Sequence, residues 1–164
     1  MSFPKSDYKT RILALAGGGD VRAMLAESGR RIVAVFARLD GKWDRSYGPG
    51  KWTARELACH LADAEMAIGF RLRQALADDD HRIQPFDEQQ WAARYSGLDP
   101  TVARAAFEAM RRWNLTLVAT CSAADLARPA FHPERGPEPV EEILRMLAGH
   151  DLNHLAQLTT IADG

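Results

Sequence analysis

The stretch ILRMLAGHDLNHLAQLTTI, residues 143–161, has the period of an amphipathic helix whose apolar side carries two histidines. With about 100° of rotation per residue, Ile143 and Ile161 each lie about 20° from His150 around the helix axis. His154 follows His150 by four residues, which separates the two imidazoles by about 40° on one face. Both histidines are therefore predicted to point into the protein interior.

Three other segments have the same helical period, and together with the histidine segment they determine the predicted fold. Thr53 and Glu56 match the S/T-x-x-E capping box at the start of one of these segments. The β-branched residues are scattered, and no alternating run bounded by turns predicts a strand. The sequence therefore predicts an all-α protein, a four-helix bundle with long crossover connections. Its helices are expected at about residues 20–39, 54–77, 100–121 and 139–164.

The connections between these helices are long enough to contain short helices of their own. One is predicted at about residues 87–94, and a short helix at about residues 9–16 is compatible with the sequence. The length of 164 residues fits one domain, residues 1–164, with a continuous core.

Composition and charge exclude several classes of function. The formal net charge is -1, and the longest block of like charge is the three aspartates at residues 78–80. Neither nucleic acid nor an anionic membrane surface is therefore a predicted partner. Cys59 and Cys121 form no CxxC pair, and no signal-peptide or membrane-span pattern is found. These features lead us to expect a cytoplasmic protein.

Three of the five histidines are predicted to face the interior. His60 lies on the apolar side of the second long helix, within about 60° of its stripe. Burying a polar group without a partner costs on the order of 2–7 kcal/mol. One divalent transition metal held by His60, His150 and His154 would satisfy all three rings and leave a position for water or substrate. In the alternative, the rings hydrogen-bond to one another, to buried water and to Gln157.

Polar residues beside these histidines are candidate catalytic groups. Gln157 lies within about 20° of His150 and could orient a substrate. Asp151 occupies the position where the metalloprotease motif requires glutamate, so the segment is not that motif. Its carboxylate could still accept a hydrogen bond from a metal-binding imidazole, as could Asp63 or Glu56.

The other two histidines have simpler interpretations. His81 lies among charged residues beside a helix end and is expected in solvent. His132 lies in a proline-rich loop and is expected to pack within that loop. The sequence contains no glycine-rich nucleotide motif and no G-x-S-x-G nucleophile elbow.

Three stretches of the chain resemble DinB/YfiT-like proteins. KWTARELACHLADAE (residues 51–65) resembles the start of their second helix, RPAFHPERG (128–136) the loop before their last helix, and GHDLNHLAQL (149–158) their metal-binding helix. The resemblance implies a four-helix bundle with a long crossover, and nickel or zinc bound by three histidines and water. The matching histidines here are His60, His150 and His154. It also implies a homodimer.

The resemblance leaves the reaction open, because the family includes thiol-dependent S-transferases, a mycothiol-dependent isomerase and candidate metal-dependent hydrolases. The first hypothesis is an enzyme that activates water or a low-molecular-weight thiol against a small electrophilic substrate. The second is a non-catalytic metal-binding module of a stress response. The third is a metal-free structural or dimerisation bundle.

Overall fold

The computed structural model describes the backbone of residues 5–164 and the side chains from residue 8 onward. The predicted absence of a signal peptide concerns in part residues 1–4, which lie outside the described residues. The long helices are α2 (Val21–Phe36), α3 (Ala54–Ala77), α5 (Pro100–Thr120) and α7 (Val140–Asp163). The shorter helices are α1 (Lys5–Ala16), α4 (Glu88–Ala92) and α6 (Ala123–Ala127), with a 3-10 turn at Tyr95–Gly97. Within the described range, none of the helices is both long and apolar enough to cross a membrane.

The start of α3 is fixed by local hydrogen bonds that the sequence predicted. The Thr53 side chain accepts a hydrogen bond from the Glu56 backbone N–H, and the Glu56 carboxylate accepts one from the Thr53 N–H at 2.7 Å. This reciprocal capping box satisfies two amide groups that a helix start leaves without partners. Helix α5 likewise begins at Pro100 after an Asp99 cap, because proline at the first helical position loses no helical hydrogen bond.

The four long helices form the predicted bundle, and its connectivity places α3 beside α7. Among the four long helices, α2 packs against α7, α3 against α5, α2 against α5 and α3 against α7. Helices α2 and α3, which follow each other in the chain, therefore occupy diagonal corners of the bundle. The connection at residues 37–53 crosses between these corners. This crossover brings the histidine of α3 against the two histidines of α7.

The bundle core consists of two apolar clusters that lie along the helix axes. The first cluster includes Ile32, Phe36, Leu57, Leu61, Phe107, Leu155 and Leu158. The second includes Leu25, Leu72, Val118, Leu144 and Leu147. Because each fully buried leucine or phenylalanine contributes about 1.5–3 kcal/mol, these clusters supply most of the stabilising free energy.

A β-hairpin precedes α7, where the sequence predicted no strand. Strands β1 (Pro129–His132) and β2 (Gly136–Pro139) pair antiparallel, with His132 opposite Gly136. Gly136 has a φ of +79°, a backbone conformation that glycine adopts without steric cost. The prediction was wrong here because prolines at both ends of the pair mask the alternation that usually identifies strands.

The hairpin also explains the position of His81. The Phe131 N–H donates to the His81 carbonyl at 2.9 Å, and the Ile83 N–H donates to the Phe131 carbonyl at 3.0 Å. These bonds hold His81 against the hairpin with only 6% of its surface exposed. The prediction that His81 lies in solvent was therefore wrong. The prediction that His132 packs within its own loop is confirmed, since it is buried and its Nδ1 accepts the Glu134 N–H.

Candidate metal centre

Three histidine rings from two helices converge inside the bundle. His60 comes from α3, whereas His150 and His154 come from successive turns of α7. One ring nitrogen from each lies within 4.8 Å of the other two. The Nε2 atoms of His60 and His150 are 2.7 Å apart. The two sequence segments singled out for metal binding therefore meet at one point.

The three imidazoles are held neutral by their surroundings. Burial, together with a smaller effect of the neighbouring His154, lowers the pKa of His60 to about 3. Burial also lowers the pKa of His154 and holds the pKa of His150 well below its usual value. Part of His150 remains exposed, although its Nδ1 is buried. Neutral rings keep a nitrogen lone pair, which is the form that binds a metal.

Gln157 orients one of the candidate ligands. Its Oε1 lies 2.7 Å from His154 Nδ1, so that ring nitrogen carries the proton and donates it to the amide oxygen. This hydrogen bond leaves the lone pair on His154 Nε2. The sequence predicted that Gln157 orients a substrate, and the structure gives it direct contact with a histidine of the site.

Trp52 forms the outer wall of the site. Its ring centroid lies 4.9 Å from that of His60 and 6.4 Å from that of His154, where the two rings are stacked. The indole covers the histidine cluster with apolar surface and contributes to the burial that lowers the histidine pKa values.

The three carboxylates proposed as partners of the imidazoles have other partners. Asp63 accepts a hydrogen bond from the Tyr95 hydroxyl at 2.7 Å, and Glu56 belongs to the helix cap. Asp151 is fully buried, and its two oxygens receive the Arg111 guanidinium at 2.8 and 3.1 Å. Among the described residues, the Nδ1 atoms of His60 and His150 have no hydrogen-bond partner.

A buried polar layer beside the histidines was missed by sequence reasoning. Arg111 is 4% exposed and forms ion pairs with both Glu65 and Asp151. Ser28 donates to Asp151, and the Asn114 amide donates to Glu65. Each of these five residues lies on the inward side of its helix. The sequence does carry a signal for this layer, because polar residues occupy inward positions on all four long helices.

The donor set fits a divalent transition metal. The Nε2 atoms of His60 and His150 lie 2.7 Å apart, at hydrogen-bond distance, and a further separation of about a few tenths of an ångström would let both bind one ion at about 2.0–2.1 Å. A third neutral imidazole faces the same point, and its tautomer is fixed by Gln157. Three such nitrogens suit zinc, nickel, copper or iron(II), whereas magnesium and calcium prefer oxygen ligands.

An open cleft of about 280 Å³ leads from the surface to this cluster. Its wall is formed by aromatic, amide and cationic side chains together with one of the histidines. The lining residues are Tyr47, Gly50, Lys51, Trp52, Gln89, His154 and Gln157. A small molecule in this cleft would contact His154 and Gln157 directly.

Known proteins share this chain's sequence pattern. The family model described as the DinB superfamily matches residues 24–158. A candidate metal-dependent hydrolase from Oceanobacillus iheyensis is 33% identical over 72% of this chain and 69% of its own length. YfiT from Bacillus subtilis, also named as a candidate metal-dependent hydrolase, is 26% identical over 99% of this chain and 94% of its own length.

Two solved structures share the fold. The structure of Bacillus subtilis YfiT, described as having an unusual four-helix bundle topology, superposes with a TM-score of 0.78 at 23% identity. That match covers 99% of this chain and 89% of YfiT. A mycothiol-dependent maleylpyruvate isomerase superposes with a TM-score of 0.71 at 16% identity, over 84% of this chain and 59% of the isomerase. The family match and these relatives show that the chain belongs to the DinB superfamily and has a YfiT-like four-helix bundle.

Proposed function

We propose that this protein is a metal-dependent enzyme that uses His60, His150 and His154 to activate water or a low-molecular-weight thiol. One observation carries the proposal: three neutral imidazoles from two helices converge inside the bundle, and one of them, His154, lines an open cleft. Relatives named as candidate metal-dependent hydrolases support a metal-dependent function. We further propose that the reaction is that of a hydrolase or a thiol S-transferase.

The histidines would hold one divalent transition metal, for which we propose nickel or zinc. When bound, the metal would act as a Lewis acid that lowers the pKa of a water or thiol at the site. The protein supplies the rest of the environment. Trp52 excludes bulk water from one side, and Gln157 fixes the lone pair of His154 toward the cluster.

Gln157 and Asp151 have different proposed roles. Gln157 lines the cleft, and its amide N–H₂ group is free to donate to an electronegative atom of the substrate while its oxygen holds His154. Asp151 is fully buried and paired with Arg111, so it does not face the substrate, and its charge favours the protonated form of the nearby His154. Asp151 thus retains a place in the predicted site, although without contact to the reacting molecule.

The substrate would be a small electrophile with apolar surface. Tyr47 and Trp52 provide flat apolar walls, and Lys51 places a positive charge at the cleft. A small ester, amide or electrophilic double bond that carries a negative group would fit these contacts. The size of the cleft, about 280 Å³, sets the scale of the molecule.

We also propose that the protein forms a homodimer and is located in the cytoplasm. Helices α3 and α5 expose large apolar side chains, with Met66 50%, Phe70 60% and Trp113 64% exposed. A second copy of the chain would bury this surface, which supports the expected homodimer. The cysteines are free, as is usual in a reducing cytoplasm. Sedimentation of the pure protein tests the dimer.

The test of the reaction is a turnover screen on tag-free protein loaded with nickel or zinc. Thiols would be offered with electrophiles, and esters and amides would be offered alone. We expect turnover above background that His154→Ala removes, whereas His132→Asn, a buried histidine outside the cluster, retains it. Full activity of metal-free His154→Ala would contradict the proposal. Background turnover by the metal-loaded wild type would instead favour a non-catalytic binding module.

A further inference from the structure

A polar layer divides the apolar core of the bundle. The first apolar cluster, around Phe107 and Leu61, ends where Arg111 and Glu65 begin. The second cluster, around Val118, begins beyond them. Within the layer, Arg111, Glu65 and Asp151 are 4%, 1% and 0% exposed. Three charged groups are therefore isolated from water between two apolar regions.

The layer joins the two helices that carry the histidines. Glu65 of α3 receives the Arg111 Nε and Nη2 groups at 2.9 and 2.5 Å. Asp151 of α7 receives Nη1 and Nη2 at 2.8 and 3.1 Å. Glu65 follows His60 by five residues, and Asp151 follows His150 directly. The guanidinium of α5 thus connects α3 to α7 about one helical turn from the histidine cluster.

Neighbouring groups of α2 and α3 contact the polar layer closely. Nη1 of Arg111 also donates to the Leu25 carbonyl of α2 at 3.0 Å. A Cβ atom on Gly29 would lie 2.9 Å from both Cγ and Nη1 of Arg111, so α2 approaches this side chain as closely as a glycine permits. On the α3 side, a Cβ on Gly69 would lie 2.5 Å from Asn114 Oδ1. Glycines at these two positions therefore let the helix backbones approach the layer from both α2 and α3.

Stability alone gives a weak reason for such a layer. Desolvating an arginine and two carboxylates costs about as much as their mutual attraction returns, and apolar replacements of similar volume are often as stable. A planar guanidinium that binds two carboxylates does, however, fix both distance and orientation between the elements that carry them. The geometry of the layer is therefore better suited to positioning α3 relative to α7 than to stabilising the folded protein.

We propose that Arg111 is a positioning residue of the metal centre, which sets the spacing of His60 on α3 from His150 and His154 on α7 by pairing with Glu65 and Asp151. This inference rests on the proposed metal site, because the spacing matters only if the three rings share an ion. Arg111 touches neither the metal nor the substrate. Its effect passes through the helices that hold the ligands.

The test compares Co²⁺ binding by the wild type, Arg111→Lys and the matched control Arg112→Lys. Lysine keeps the charge but cannot bind both carboxylates in the same plane. Arg112 is the exposed neighbour on the same helix. Thermal unfolding of each metal-free protein reports folding. The visible absorption band of Co²⁺ reports ligand geometry, and competition with a chelating dye reports the dissociation constant.

We expect Arg111→Lys to fold, to bind Co²⁺ at least about tenfold more weakly and to shift the absorption band, as when other residues that orient metal ligands are changed. Arg112→Lys should behave as the wild type. A folded Arg111→Lys protein with the wild-type dissociation constant and band would overturn the inference while leaving the metal site intact. A wild type that binds no Co²⁺ would remove the proposed function and this inference together.

Two further measurements decide the matter if Arg111→Lys does not fold. Glu65→Gln keeps one acceptor oxygen for the guanidinium and should weaken Co²⁺ binding in the same direction. In the wild type, Co²⁺ should slow deuterium exchange of residues 107–114 in α5, a helix that supplies no ligand. The proposed coupling would be overturned if Co²⁺ protected α3 and α7 from deuterium exchange but left the exchange of α5 unchanged. It would also be overturned if Glu65→Gln bound Co²⁺ as tightly as the wild type.

Discussion

Acidification of the metal-free protein should destabilise it well before its carboxylates are protonated. The folded-state pKa of His60 is about 3, against an ordinary value of 6.5. Between these two values the unfolded chain binds a proton at this ring and the folded protein does not. The stability that the neutral ring provides is therefore complete above pH 6.5 and is lost as the pH falls toward 3.

The expected magnitude follows from the size of that shift. Each pH unit between the two pKa values corresponds to about 1.4 kcal/mol. His60 alone should thus lower the free energy of unfolding by about 2 kcal/mol at pH 5 and by about 5 kcal/mol near pH 3. His150 and His154 shift in the same direction and add to this loss. Since domains of this size are stable by about 5–15 kcal/mol, the effect is large.

Urea unfolding followed by circular dichroism, in the presence of a chelator, measures this loss between pH 7 and pH 5. This window lies above the pH range in which carboxylates such as Glu138 bind protons. The pKa of Glu138 has an ordinary value of 4.5 and, against the opposing effect of burial, is lowered to about 2 in the folded protein by hydrogen bonds from Arg135 and Lys9. His132 also has a lowered pKa from burial and gives a background common to all variants. His60→Gln is the matched variant, which should lose the contribution of one ring to the slope. Equal free energies of unfolding at pH 7 and pH 5, or an unchanged slope in His60→Gln, would refute the reasoning.

Three further predictions concern helix packing, ligand orientation and helix capping. Gly149→Ala would place a Cβ 2.0 Å from the Ile12 carbonyl oxygen, so α1 must move from α7 at a cost of about 3 kcal/mol in urea unfolding. Gly18→Ala, with no atom near the added methyl group, should leave stability nearly unchanged, and an equal loss in both variants would contradict this packing argument. Gln157→Leu removes the acceptor of His154 Nδ1 and should weaken metal binding about tenfold in dye competition, whereas Gln157→Glu should bind almost as well as the wild type. If the leucine variant binds like the wild type, Gln157 does not fix the His154 tautomer. Thr53→Ala removes the cap of α3 and should cost about 1 kcal/mol in thermal unfolding, a loss that Thr116→Ala, at an exposed position inside α5, should not share.

The parts of the fold that follow from local chemistry could be predicted from the sequence. The bounds of α3 were predicted at both ends, because Thr53 and Glu56 define its start and the apolar period defines its extent. The inward direction of His60, His150 and His154 followed from rotation per residue alone. The β-hairpin at Pro129–Pro139 was missed, because its prolines mask the alternation of a strand and because Phe131 also pairs with the distant backbone of residues 81 and 83. Pairing between distant segments leaves little mark on local periodicity.

The polar layer could not be assembled from one helix at a time. Asp151 was a candidate acceptor for an imidazole N–H, since it occupies the glutamate position of the metalloprotease motif. Its actual partner, Arg111, lies forty residues away on α5 and becomes a neighbour only through the crossover topology. Gln157 contacts His154, because a residue three positions later lies on the same helical face, and its role toward a substrate stays a prediction. The single-domain organisation and the homodimer stay predictions.

The most direct test of the account is the metal content of tag-free protein, measured by elemental mass spectrometry together with X-ray absorption at the edge of the metal found. The account predicts one divalent transition metal per chain with three imidazole ligands, and its loss in His60→Ala, His150→Ala and His154→Ala alike. A folded wild type that takes up no metal after incubation with nickel or zinc would contradict it. So would a metal that remains bound when any one of these three histidines is removed.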